Sequence, residues 1–485
     1  MSTVQRIARN TTVLLVAQVA SYLLSFFYVM YAARYLEPAN FGILSFAIAF
    51  TGIFAMFGDF GLQSLMVREI ARDRTMAPKY LANVSLMKVI MVAVAFGLIA
   101  LIINLMGYPE ETIRVVYLLG LVVILNAFGQ MFSSIFQAFE RMEFQAIGQI
   151  LNAALLFGGG MFAIRHGFTV IGFSYLYVVV NAVALSYSFA VLKLKVSGPA
   201  SVPAVKAMEF DRSFWKSTIK EALPFGLITL FAAVFYGADT IILSSVKGDA
   251  VVGWYSAAYR MVGILLFVPT ALGSSIFPVM SRFYTTSPDF LRHGVEKLLK
   301  YMTMLGIPLG VGTTLLAQRI IWVVFGPEYI PAAIALQILI WSVVLVYIGG
   351  PIGTLLQTTN RQGVVARIVG ISTLTNVVAN LILIPRYSYI AAGTIAVVTT
   401  LISVTMQYIA CLRTGWSVID RRLLISFGKI VAGSVVMGLF IYYLGNMTLL
   451  LLIPLAILLY FGTLFSLRFF DKDDMLIVRQ IAGRQ

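Results

Sequence analysis

Apolar residues run in stretches of about twenty along nearly the whole chain, with short polar turns between them. That length fits helices that cross a bilayer. Fourteen spans are predicted, at 12–33, 41–66, 83–106, 115–139, 146–164, 169–192, 223–246, 252–282, 301–325, 331–357, 364–385, 390–412, 423–445 and 448–469. The predicted class is an all-α polytopic membrane protein. Arg6 and Arg9 precede the first run as they would in a signal peptide. The run continues to about Ala33 without a cleavage signal, so it reads as an uncleaved first span. Connections are short except between Lys193 and Ala222. There Ser197-Gly198-Pro199-Ala200-Ser201-Val202-Pro203 precedes a mixed segment, Glu209 to Glu221, which reads as an amphipathic helix on the membrane surface.

The pattern also repeats. Gly42-Ile43-Leu44-Ser45-Phe46-Ala47 opens the second span, and Gly253-Trp254-Tyr255-Ser256-Ala257-Ala258 opens the eighth, 211 positions later. Met66-Val67-Arg68 and Met280-Ser281-Arg282 close the same two spans at an offset of 214. Gln137-Ala138-Phe139-Glu140-Arg141 and Gln357-Thr358-Thr359-Asn360-Arg361 close the fourth and tenth at an offset of 220. Six spans per half give both copies one direction through the membrane, which makes them parallel repeats about an axis along the membrane normal. The division follows: 1–195 as an N-lobe of spans one to six, 196–222 as a cytoplasmic linker, 223–413 as a C-lobe of spans seven to twelve, and 414–485 as two extra spans with a tail.

Composition agrees. Of 485 residues 60% are hydrophobic and only 11% charged, with a mean hydropathy of +0.93; soluble domains carry about 25% charged residues. The net charge of +15 raises nucleic acid as a partner. Its distribution removes that reading. With the N-terminus inside, 28 of the 35 Lys and Arg fall on the inner side, six on the outer, and Arg260 within a span. This asymmetry places both termini in the cytoplasm of a cell (plasma or inner) membrane. One cysteine, Cys411, allows no internal disulfide, and two histidines in loops make a His-rich metal site improbable. There is no Gly-Lys-Ser/Thr phosphate loop and hence no built-in ATPase. Outer loops too short to present a set of acids disfavour a membrane glycan polymerase, and no enzyme constellation is found.

Ionisable residues inside spans are the first candidates for function. Asp239 and Arg260 lie at equal distances from the turn Val246-Lys247-Gly248-Asp249-Ala250, which predicts one depth for acid and base. They read either as a structural pair or as a gate or binding site; the repeat favours the second, because their counterparts in the first half are Tyr28 and Ala49. Asp59, in Gly58-Asp59-Phe60-Gly61-Leu62-Gln63, and Lys88 share an inner depth. They form an ion pair or an ion site, or Lys88 snorkels to the inner surface, which is the preferred reading. Polar residues recur at helical spacing: Asn126, Gln130, Ser133 or Ser134, and Gln137; Gln145, Gln149 and Asn152; Ser372, Asn376 and Asn380. Such stripes either bond neighbouring helices or line a hydrated cavity suited to sugar. Pro224, Pro269, Pro278, Pro308 and Gly349-Gly350-Pro351 are candidate hinges.

Ala8-Arg9-Asn10-Thr11, Gly58-Asp59-Phe60-Gly61-Leu62, Ala238-Asp239-Thr240-Ile241-Ile242-Leu243, Val252-Gly253-Trp254-Tyr255-Ser256-Ala257-Ala258 and Phe325-Gly326-Pro327-Glu328-Tyr329, in this order among fourteen spans, carry a resemblance. The chain resembles the polysaccharide-transport (Wzx-like) branch of the multidrug/oligosaccharidyl-lipid/polysaccharide (MOP) flippase superfamily. The resemblance implies two six-helix lobes in a V, like the MATE transporters, and two extra C-terminal helices. It implies translocation of a polyprenyl-phosphate- or pyrophosphate-linked oligosaccharide between leaflets, with membrane lipids and other glycan-assembly proteins as partners. On this reading Arg260, with Arg34 or Lys88 behind it, offsets the phosphate. Asn126, Gln130, Gln149, Asn152 and Asn376 meet the glycan. No cofactor is expected; Asp59 and Asp239 would gate transport or couple it to protons, sodium or membrane potential. A MATE-type cation-coupled antiporter of drugs or metabolites is the alternative.

Overall fold

The computed structural model describes residues 3–196, 212–416, 418 and 420–470. The linker residues 197–211 and the tail from 471 lie outside the described residues; the rest of the expected linker helix, 212–221, is not a separate surface helix but the start of a long one, Arg212–Lys247. Among those described there is no strand. The helices are α1 (Thr3–Asp59), α2 (Leu62–Arg72), α3 (Ala77–Leu105), α4 (Glu110–Ala138), α5 (Met142–Arg165), α6 (Val170–Val191), α7 (Arg212–Lys247), α8 (Asp249–Leu265), α9 (Phe267–Thr286), α10 (Pro288–Phe325), α11 (Ala332–Thr358), α12 (Gln362–Arg413), α13 (Arg421–Tyr443) and α14 (Leu449–Ser466). An all-helical answer is what lipid demands, since a helix satisfies its backbone within one segment.

Helices and spans do not correspond one to one. Among the described residues twelve stretches are long and apolar enough to cross a membrane, and two of them run to 60 and 52 residues. At about 1.5 Å per residue, they would extend about 90 and 80 Å if straight, more than twice a hydrocarbon core of about 30 Å. Each is divided by a residue with positive φ, Glu37 (59°) in α1 and Ser388 (57°) in α12. Counting both halves restores the expected fourteen spans.

Two expected spans are not continuous. The second is interrupted at Phe60 (φ 47°) and Gly61 (φ 83°), between α1 and α2. The eighth is interrupted at Leu266, between α8 and α9. Pro269 explains the second break. Its ring opposes the carbonyl four residues back, that of Leu265, and it has no N–H to donate. In the first turn of a new helix no such donor is needed.

The backbone repeats as the sequence does. Residues with positive φ recur as Glu37 and Gly248, Gly107 and Gly326, Glu140 and Asn360, and Gly167 and Ser388, at offsets rising from 211 to 221. The turns at Glu140 and Asn360 share their hydrogen bonds: Arg141 N–H donates to Phe136 O (2.8 Å) and Arg361 N–H to Leu356 O (2.9 Å). Both are left-handed helix ends, in which returning donors satisfy the last carbonyls.

The chain forms two compact units, Met1–Ser256 and Ala257–Gln485. This grouping differs from the sequence repeat because α7 packs within the first unit, antiparallel along the second half of α1. Gly226 lies against the Phe60 carbonyl and Gly237 against that of Ala49, so eleven residues forward on α7 match eleven back on α1. The first turns of α7 are clasped to α2 and α3. Trp215 Nε1 donates to Asn83 Oδ1 (3.1 Å), Arg68 pairs with Glu221, and the Lys79 ammonium sits 5.0 Å from the Phe214 ring centre. Between α2 and α3, outside the spans, the Thr75 hydroxyl and N–H donate to Asp73 and hold its carboxyl below the usual range.

In the second unit α13 and α14 are fixed to α10. Tyr460 donates to Met304 O (2.7 Å) at one level. At another, the Arg319 guanidinium donates to Gly445 O and Met447 O (2.6 Å), beyond the C-terminal end of α13. A cation there also opposes the negative end of the helix dipole.

Candidate functional site

The spans of the first unit hold two acids, Asp59 partly buried and Asp239 buried, and their surroundings differ. Asp59 closes α1 immediately before the break. Its carboxylate accepts the Gln63 N–H (3.2 and 3.4 Å), which caps the start of α2. It also accepts from Lys88 of α3 at 2.8 Å, and Lys88 Nζ donates again to Gly58 O at 3.0 Å. Lys88 is 0% exposed, so the expected snorkelling is corrected: the lysine turns inward and is neutralised there. A buried ammonium is tolerable only when paired and hydrogen-bonded. The helix break supplies both needs, a carboxylate and a carbonyl no longer committed to a regular helix.

Asp239 lies on α7, 4% exposed. Its expected base does not take the carboxylate. Tyr255 of α8 donates its hydroxyl to Oδ2, and the Thr240 N–H donates to Oδ1 at 2.8 Å. Helical periodicity gives the reason. The α7–α8 turn is one residue, Gly248 (φ 86°), so α8 meets α7 directly. Tyr255 falls on the contact face and is fully buried. Arg260 lies five residues on, about 140° round the helix, and is exposed. Depth alone matched Asp239 to Arg260; facing decided otherwise.

The polar stripes divide in the same way. Asn126 and Gln130 share an exposed face of α4. On α5, Asn152 donates to Asn181 of α6 (3.4 Å), whereas the side-chain oxygens of Gln145 and Gln149 are buried without a partner. In the second unit Asn376 is 2% exposed and donates to Thr399 Oγ1 (3.3 Å), while accepting from Asn380 (2.9 Å). That chain of amides joins the two halves of α12, and Ser372 Oγ and Asn380 Oδ1 remain without partners beside it. Arg34 is exposed, three residues before the Glu37 break. Tyr255, Asn181 and Thr399 were not singled out for these roles by the sequence. A tyrosine and a threonine in a span carry no pattern of their own, and only the facing helix gives them meaning. Among the described residues no group of three or more His, Cys, Asp or Glu is placed to hold a metal.

This arrangement, polar layers inside a many-span helical chain with an internal repeat, can be compared with known proteins. The family model described as "Polysaccharide biosynthesis protein" matches residues 7–284. The chain belongs to that family. A second family model, MatE, matches residues 224–382, most of the second repeat. Among curated relatives of this polysaccharide family member is a probable low-salt glycan biosynthesis flippase, Agl15, of Haloferax volcanii. It is 24% identical over 455 residues, covering 90% of this chain and 93% of the relative. The lipopolysaccharide biosynthesis protein WzxC of Escherichia coli K12 is 25% identical over 363 residues, covering 73% and 68%. A solved structure of the lipid II flippase MurJ, in an inward closed conformation, superposes with a TM-score of 0.73 at 17% identity, covering 92% of this chain and 97% of MurJ. The fold of this polysaccharide biosynthesis family chain is therefore the MOP-type fold expected above.

Proposed function

We propose that the protein is a flippase. It carries a polyprenyl-phosphate- or pyrophosphate-linked oligosaccharide from the inner to the outer leaflet by alternating access, for surface polysaccharide or glycoprotein glycan synthesis. The observation that carries this reading is the near full-length likeness to a protein named as a glycan biosynthesis flippase. The side chains supply compatible chemistry. Arg260 is the cation assigned to the phosphate, because it is exposed and a guanidinium fits phosphate oxygens in pairs. Arg34 is exposed as well and remains a candidate. Lys88 recedes, because its ammonium already donates to Asp59 and Gly58. The amides of Asn126 and Gln130 offer a glycan both donors and acceptors.

Coupling is assigned to Asp239 rather than Asp59. A buried carboxylate met by a hydroxyl and an N–H has room for a proton or a cation, whereas one met by an ammonium is already neutral. The distribution of basic residues supports cytoplasmic termini and a cell-membrane location. The partners are the lipid-linked glycan, membrane lipids and neighbouring glycan-assembly proteins. Deleting the protein should trap lipid-linked glycan in the inner leaflet, measured by its protection from an impermeant periodate or glycosidase. The MatE match to residues 224–382 favours a second reading, cation-coupled antiport of drugs or metabolites. If the deletion leaves all glycan accessible outside and changes drug sensitivity instead, antiport replaces the flippase.

A further inference from the structure

The second half of α1 and the start of α8 cross at two glycines with no room between them. A methyl carbon built on Gly42 would lie 2.7 Å from the Asp249 carbonyl carbon, nearer still to its oxygen, and 3.0 Å from Gly253 N. One built on Gly253 would lie 2.8 Å from the Pro38 carbonyl carbon, again nearer to the oxygen, and 3.0 Å from Pro38 Cα. Carbon atoms in ordinary contact stay about 3.5–4.0 Å apart. A methyl group at either position would therefore force the helices about 1 Å apart.

The contact is reciprocal, and the sequence repeat explains why. Gly42 and Gly253 are counterparts at the offset of 211, as are Pro38 and Asp249. Each glycine sits on the carbonyl of the residue four before its counterpart. Both also follow, by five residues, the positive-φ residue that opens their helix, Glu37 or Gly248. A residue pair that contacts its own repeat copy in this way forms a local two-fold joint. Backbones this close gain Cα–H···O contacts and dispersion, the forces available to helices in lipid. Gly52, on the same half of α1, behaves differently: it has no atom within 4 Å of an added methyl carbon. Small size is therefore required at Gly42 and not at every glycine of α1.

We infer that the Gly42–Gly253 crossing is a latch, a contact that closes the α7–α8 turn end of the spans and parts in every transport cycle. Gly42 and Gly253 are positioning residues. Their shared shape sets how readily that end opens, and neither touches substrate. The inference rests on alternating access, but its test needs no substrate.

The reporter is Ser45→Cys, a buried position three residues past Gly42, in a Cys411→Ala background so that one thiol reads out. Purified protein in lipid nanodiscs is labelled with a charged maleimide. Gly42→Ala and Gly253→Ala should each speed labelling roughly tenfold, the factor that corresponds to about 1.4 kcal/mol of shifted equilibrium. The double variant should label no faster than either single, because one opened joint cannot be opened twice. Gly52→Ala should leave the rate unchanged. Unchanged labelling in both single variants overturns the latch, as does additivity in the double. Failure of both variants to give monodisperse protein also overturns it, because a joint that parts in each cycle cannot be one the fold requires. Faster labelling with no glycan translocation by the unsubstituted protein would leave the latch standing and remove the flippase reading alone.

Discussion

Asp59 and Asp239 are both acids embedded in the first unit, and the protein treats them in opposite ways. Asp59 meets a lysine that is 0% exposed, a carbonyl shares that lysine, and the carboxylate caps a helix. Asp239 meets the Tyr255 hydroxyl and the Thr240 N–H, with no cation among them. The first site is closed on itself, because charge is balanced and the ammonium donates to both the carboxylate and a carbonyl. The second keeps an acid whose partner is neutral. A spanning helix carries such a residue at considerable cost, which a transporter can use. The difference supports the proposal of a structural role for one acid and a coupling role for the other, although both are single aspartates among apolar residues.

The largest expected effect breaks the closed site. Lys88→Met would leave Asp59 without its ammonium and should lower stability by about 3–5 kcal/mol, read as a fall in the unfolding midpoint in detergent. Asp59→Asn added to Lys88→Met should recover most of it, since the amide oxygen can still cap α2. If Lys88→Met unfolds like the unsubstituted protein, the two sites are not as different as their geometry indicates. Next is Tyr255→Phe, which removes one donor from the buried carboxylate. It should destabilise by about 1–3 kcal/mol and shift the pH dependence of transport, both measurable on one preparation. The smallest effect on stability, under about 1 kcal/mol, is expected for Asp239→Asn. An amide keeps the Thr240 bond and can donate to the Tyr255 oxygen in place of accepting from it. Its transport should nonetheless lose dependence on the imposed proton or sodium gradient. Gradient dependence that survives in Asp239→Asn would make Asp239 a structural residue like Asp59.

Much of the fold was legible because lipid imposes a simple code. Length and apolarity gave the spans, and the loop motifs gave the repeat, whose turns at Glu140 and Asn360 share one backbone shape. The break at Phe60 was missed, although Gly61 marks it, because a hydropathy pattern does not register a single turn of lost helix; the break at Leu266 falls beside Pro269, one of the candidate hinges. The candidate site was legible in its residues and not in its pairings. Asp59 and Lys88 were matched by depth and do meet. Asp239 and Arg260 were matched by depth and face different ways, because five residues on a helix carry a side chain far round its axis.

The amino-acid sequence by itself determined that the chain crosses a membrane many times, that its two halves share motifs at a steady offset, and which residues are costly enough to demand a use. Transfer free energy and backbone satisfaction act residue by residue, so they are written in order along the chain. Only the tertiary structure decided which acid is neutralised, which amides bond across α12, and that Gly42 comes to rest against the turn beside Gly253. Those outcomes depend on rotation about helix axes and on contacts between segments some two hundred residues apart, which no local pattern specifies.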